Sequence, residues 1–219
     1  MPGLTQGAAR DANVLRFLST YGTGRDILKH QLYDTRFFDT TATNYDFFAQ
    51  PIGGAWRANT KTIIETNMID TGKLANGQAF LIKKMGVSFQ TLLPASAVNA
   101  PAIAMACVHV LQSSIFEFRV ASREWDVQIH GRNFLPALAV YGQNQTNATF
   151  RCGDTIASGY ISLDDIPIIL DPLVNFKVGM NFSNTDTNVQ TVINASATLL
   201  HGLYSTMQVI LEGTLSRPK

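Results

Sequence analysis

The side chains of this 219-residue chain that could carry chemistry are few and scattered. Its histidines are His30, His109, His130 and His201. None pairs with a second histidine at ligand spacing, and Cys107-Val108-His109 alone is a weak pattern for a metal that takes four ligands. His130, beside Gly131 on the polar side of its segment, is expected to face solvent. Asp164 and Asp165 form the one adjacent acidic pair, with Asp154 and Asp171 nearby. Neighbouring carboxylates on a strand point to opposite faces, so they are poorly placed to share a proton. In a turn they could take calcium; the plainer reading is a polar strand end before Pro167. Arg119, Arg123 and Arg132 alternate with Glu117, Glu124 and Asp126. Such alternation fits a solvated face or ion pairs between subunits, whereas phosphate recognition needs uncompensated cations. Gly22-Thr23-Gly24 lacks the third glycine and the preceding strand of a dinucleotide site. There is no P-loop, Gly-x-Ser-x-Gly or His-Glu-x-x-His. The expectation is a non-enzyme with no catalytic, cofactor-binding or metal-binding residues and no cofactor.

What does recur is two-residue alternation, the mark of a strand with one buried and one wet face. Phe176, Val178, Met180 and Phe182 share one parity, and Asn175, Lys177 and Asn181 the other. SIFEFRV directs Phe116, Phe118 and Val120 inward. REWDVQIHG does the same with Trp125, Val127 and Ile129, and the two runs form one bent strand or a tight hairpin. In AFLIKKMGVSF, Phe80 and Ile82 share one parity, then Met85, Val87 and Phe89 take the other. One extra residue flips every later side chain, so a β-bulge is expected at Lys83-Lys84. YDTRFFDT, KTIIETNMI (with Ile64, Thr66 and Met68 on one face), GYISL, IPIIL, a run ending near Leu200 and TMQVILEGTL complete eight to ten strands. The stretches AVYGQNQTNATFRCGD and Ser183 to Asn188 read as loops. Strands without intervening regular helices argue for an antiparallel sandwich.

Two segments read as helical. Val14, Phe17, Leu18 and Tyr21 fall at helical spacing, with Asp11 as cap and Gly22 as stop, followed by a Gly-punctuated link to His30. Such a helix either packs on its own sandwich or reaches a neighbouring subunit. Residues 101–112, opening with Pro101, form the second. The domain division is a helical arm over 1–30 and a sheet domain over 31–219.

The hydrophobic content of 46% supports a real core, while charged residues make up 15%, below the roughly 25% of an average soluble domain. A sparsely charged surface suits a chain covered by neighbours, although Asn, Gln, Ser and Thr could equally keep a monomer wet. The net charge of +1 gives no general case for nucleic acid. Cys107 and Cys152 read as reduced core residues, with a single bridge between them left open. The N-terminus lacks a secretory signal, and the run Pro101 to Leu111 is about half the ~20 residues of a membrane span. The sequons at Asn144, Asn147, Asn181 and Asn194 carry little weight in an Asn- and Thr-rich chain.

Three stretches together carry a family resemblance. They are LLPASAVNAPAIAMACVHVLQSSIFEFRVASREWDVQIHGRNFLPA, YISLDDIPIILDPLVNFKVGMNF with Pro167 and Pro172 bracketing a short strand, and the ending VILEGTLSRPK. Their order, over residues 75 to 219, resembles the jelly-roll major capsid proteins of tailless icosahedral bacteriophages, the PRD1-, PM2- and FLiP-like group. The resemblance implies an all-β, antiparallel jelly-roll sandwich, here a single jelly roll given the chain length. It further implies a virion coat protein, made in the host cytoplasm, that self-assembles into trimers or pseudo-hexameric capsomers. Its partners would be copies of itself, other virion structural proteins and an internal membrane, with no specific nucleic-acid site. The alternative is a β-sandwich carbohydrate- or receptor-binding module, such as a virion spike. That module would expose a cluster such as Tyr141, Tyr160 or Tyr204 at one loop end.

Overall fold

The computed structural model describes residues 6–38, 44–56, 59–90, 100–121, 127–134, 156–165, 167–182, 187–202 and 205–219. Two antiparallel sheets face each other. The first runs β1 (Arg25–Phe37), β11 (Thr206–Pro218), β5 (Ala79–Gln90), with β8 (Ile156–Ser162) and β9 (Ile168–Leu170) both pairing with the far side of β5. The second runs β2 (Asn44–Phe47), β10 (Phe176–Phe182), β6 (Ser114–Val120), β7 (Val127–His130). A small ribbon, β3 (Ala55–Trp56) and β4 (Asn59–Thr60), lies apart from both.

One core fills the space between the sheets, and the alternating runs supply it. Phe176, Val178, Met180 and Phe182 are buried from β10, and Phe116 and Phe118 from β6. Strands β6 and β7 form a hairpin in which Phe118 faces Val127 and Ile115 faces His130. Trp125 lies outside the described residues. On β5, Phe80, Ile82, Met85, Val87 and Phe89 all enter the core despite their change of parity. The register explains it. Glu212 of β11 pairs with Lys84 and Gly213 with Ile82, so Lys83 is the extra, bulged residue.

The opposite face of β5 is also covered. Ala79 and Leu81 point out of the sandwich and pack with Phe17 of α1 (Gln6–Tyr21), which is fully buried. Asn13 donates to the Pro167 carbonyl, the Tyr21 hydroxyl donates to Asp171 at 2.7 Å, and Ser216 donates to the Tyr21 carbonyl. The helix thus packs on its own sandwich. It begins upstream of Asp11, which is therefore not its cap. Gly22 does end it, donating to the Leu18 carbonyl at 2.8 Å, and a Cβ there would meet that oxygen.

Three sequence expectations are corrected. The link to His30 is instead the first part of β1, which pairs along its full length with β11. It follows Gly24, whose positive φ of 69° turns the chain. The segment Lys61 to Ile69 is no strand. Thr62 and Glu65 close a local turn, with the Thr62 amide and hydroxyl both donating to the Glu65 carboxylate. Thr66 and Met68 are buried as expected, but Ile64 is 78% exposed. The run ending near Leu200 is helix α3 (Thr187–Gly202), so the described residues hold a second helical insertion where one was expected. Ile193, Ala197 and Leu200 recur at helical spacing and enter the core. Helix α2 (Ala100–Gln112) stands where the sequence placed it, packed against α3 with Cys107, Val110 and Leu111 buried.

Candidate functional site

The residues singled out for chemistry are kept apart by the fold. His30 is half-buried on β1, its ring edge-on to Phe80 at 6.3 Å. Burial, assisted by Arg217, holds its pKa below the usual value. His109 faces Ser196 between α2 and α3 at 3.4 Å, and His201 Nδ1 lies 2.6 Å from the Phe38 carbonyl. His130 is exposed on the edge strand β7. Asp164 takes a hydrogen bond from Ser162 in the turn between β8 and β9, and Asp171 is engaged by Tyr21. Among the described residues, no group of three or more His, Cys, Asp or Glu side chains could hold a metal ion. Cys107 is buried and free, and burial pushes its thiol up to about 12, so it is inert at neutral pH. Cys152, Asp154, Arg123, Glu124, Asp126, Tyr141 and Tyr204 lie outside the described residues.

What the strands do bring together is a ladder of charge across the outer face of the second sheet. Lys177 of β10 lies 3.3 Å from Asp46 of β2. Its register neighbour on β6 is Arg119, which pairs with Glu117 at 2.5 Å. Glu117 also accepts from Gln128 of β7. The Arg119 bond, more than any other contact, holds the Glu117 carboxyl below the ordinary range. Of the alternating charges read from the sequence, this ladder contains Arg119 and Glu117; its other members, Lys177, Asp46 and the uncharged Gln128, come from strands far apart in the chain.

The outer face of the first sheet is different. Lys29, Gln31 and Tyr33 of β1, Lys83 and Lys84 of β5, and Glu212 of β11 line an open groove of about 790 Å³. Gln31 donates to Glu212 at 2.5 Å. Tyr160 of β8 lies flat over Gly86, where a Cβ would strike the ring at 2.6 Å. Burial and the neighbouring Glu212 raise the Tyr160 phenol. Tyr160 therefore belongs to a sheet face and not to a loop end.

Apolar side chains reach solvent on several elements. Ile52, Ile63, Ile64 and Ile69 are exposed on the segments between β2 and β5, Leu15 and Leu18 on the side of α1 turned away from the sheet, Ile27 and Leu28 on β1, and Met105, Leu173 and Val192 singly elsewhere. The isoleucines between β2 and β5 are the most exposed group, and clustered exposed apolar groups favour contact with another protein surface. Between these isoleucines and β1 the free strand edge is closed. The Tyr33 amide donates to Asn67 Oδ1, Asn67 Nδ2 donates to the Gln31 carbonyl, and Thr66 donates to the Tyr33 carbonyl.

Sequence reasoning missed one constellation altogether. Asp34 of β1 and Lys61, which follows β4, are both completely buried and 2.5 Å apart. Asp34 Oδ2 accepts from the Phe48 amide at 2.7 Å, at a residue held in the left-handed region with φ 64°. Lys61 Nζ sits 5.4 Å above the Trp56 ring, which itself packs on Phe37. Burial raises the Asp34 pKa and lowers that of Lys61, while each partner opposes the shift of the other. No local spacing announces the pair, because 27 residues separate its members.

No protein-family model matches the chain, and no curated protein matches it. Among the described residues, no helix is long and apolar enough to cross a membrane.

Proposed function

We propose that this chain is a single jelly-roll coat protein that self-assembles into the icosahedral capsid of a tailless bacteriophage. The observation that carries the reading is the strand order. With β8 and β9 taken as one strand and the small ribbon set aside, the described residues supply eight principal strands. The first pairs with the eighth (β1 and β11), the second with the seventh (β2 and β10), the third with the sixth (β5 with β8 and β9), and the fourth with the fifth (β6 and β7). This is one long antiparallel hairpin. It is rolled so that the eighth strand also meets the third and the seventh meets the fourth. This order of two facing sheets supports a jelly roll, a fold that builds viral shells as well as lectin and cupin domains.

Fold alone does not choose among those roles. Three further observations favour the shell. Charged residues are sparse at 15% of the chain. The exposed isoleucines and the outward leucines of α1 offer apolar contact area. The resemblance over residues 75 to 219 points the same way. In this reading capsomers of identical subunits close around local symmetry axes, burying those side chains against neighbours. Other virion proteins and an underlying membrane would be further partners.

The test is native mass spectrometry with negative-stain imaging of the purified protein across salt and pH. Discrete oligomers or closed shells are expected. A strict monomer at high concentration under every condition overturns the reading.

A further inference from the structure

We propose that Asp34 and Lys61 condense into an intramolecular isopeptide bond, a covalent staple between β1 and the segment following β4. The inference stands independently of the shell reading. It rests first on geometry. Lys61 Nζ is 2.5 Å from Asp34 Oδ1. The carboxyl carbon is at most one C–O bond, about 1.2 Å, further on, at the edge of the ~3–3.5 Å separation of a near-attack arrangement. Both side chains are fully buried.

The surroundings supply what the reaction needs. The Phe48 amide holds Oδ2 at 2.7 Å, placed to stabilise the oxyanion that forms as nitrogen adds to carbon. Trp56 shields the amine on one side, and Phe48 itself is completely buried. Two opposite charges taken out of water carry a desolvation penalty that an uncharged amide escapes. Burial also pushes both groups toward their neutral forms, and an amine facing a carboxylic acid is the reactive pair.

The step balances without a co-reactant. A proton moves from the Lys61 ammonium to Asp34 Oδ1, leaving a neutral amine. Its lone pair attacks the Asp34 carboxyl carbon, and the C–N bond forms. A second proton passes from nitrogen directly to Oδ1. The C–O bond breaks and Oδ1 leaves as water. Nitrogen keeps its third proton as the amide N–H, and nothing is oxidised or reduced.

Denaturing intact-mass spectrometry of the full-length protein tests this. The wild type is expected one water lighter than its sequence, and a protease digest is expected to yield a branched peptide joining Lys61 to Asp34. Lys61→Arg, which keeps the cation but removes the nucleophilic amine, is expected at its full sequence mass. The measurement reads both proteins whether or not the variant folds. Wild type at its sequence mass, with trypsin cutting after Lys61, overturns the proposal. So does a Lys61→Arg protein that is still one water light.

Discussion

Replacing Phe17 by alanine asks whether α1 belongs to its own sandwich. Phe17 is fully buried against Ala79 and Leu81, with Val14, Tyr21 and Ile169 partly buried around it. Truncating a buried phenylalanine to alanine costs about 3–5 kcal/mol. This cluster is small and its rim half-open, so the site can partly collapse and the low end, about 3 kcal/mol, applies. For a chain of this length each kcal/mol moves the midpoint by roughly 2–4 °C, so a fall of roughly 6–12 °C is expected. Leu18, next in sequence but 46% exposed, supplies the control. Leu18→Ala should stay within about 0.5 kcal/mol. Urea unfolding of monomeric protein measures both, and trypsin sensitivity at Arg16 reports whether the helix has come away. If Phe17→Ala leaves both readings unchanged while Leu18→Ala shifts them, the packing argument for α1 is wrong.

Two further predictions follow from the sheets. Deleting Lys83 removes the bulged residue and sets Ile82 beside Lys84, so β5 alternates without a break and Phe80, Ile82, Met85, Val87 and Phe89 all stay inward. The deletion should therefore stay soluble and fold cooperatively, whereas deleting Leu81, inside the regular register, turns Phe80 out of the core or Lys83 into it and should cost about 1.5–3 kcal/mol or more in urea unfolding. A Lys83 deletion that fails to fold while the Leu81 deletion folds refutes the bulge. Glu117 is held below its ordinary value of 4.5, first by Arg119, so its charged form is the one the fold favours. Its contribution is complete above that value and fades as pH falls through the depressed one. The stability gap between wild type and Glu117→Gln, about 1 kcal/mol or less for a partly exposed pair, should close on acidification. Urea midpoints compared at neutral and acidic pH check it, and a gap that persists in acid contradicts the assignment.

How much could be read from residues alone depended on whether the environment imposed a period. β10 and β6 were legible because one face of each strand meets the core and the other carries polar side chains, and the parity switch in β5 because large apolar side chains fill its inner face on both sides of the Lys83-Lys84 step. α3 was not, because Val192 and Thr191 lend it the look of a strand, while its small core residues, Ala197 among them, carry little signal. The Thr-x-x-Glu of Thr62 and Glu65 was a readable turn signature, masked by the isoleucines between them. The start of β1 was missed because its early residues, with Ile27 beside Leu28 and both exposed, show no alternation, and its strand character comes from pairing with β11 nearly 190 residues later. Asp34 and Lys61 illustrate the limit most sharply. Each is an ordinary polar residue in its own segment, and they become a pair only after β1 and the end of the small ribbon meet.

The closed edge of β1 also constrains how copies of this chain could join. Asn67 presents an amide to Gln31 and Tyr33 much as a neighbouring strand would, so the Gln31 carbonyl and both main-chain groups of Tyr33 are already taken. An open edge would let one molecule's sheet continue into the next, a growth that has no natural end. With this edge stopped, an assembly cannot lengthen here as a ribbon. In a shell of the kind proposed, subunits would abut there as tiles, joined by side chains that can also let go. That suits a container which must reach a fixed size, correct its errors while it is being built, and then stop.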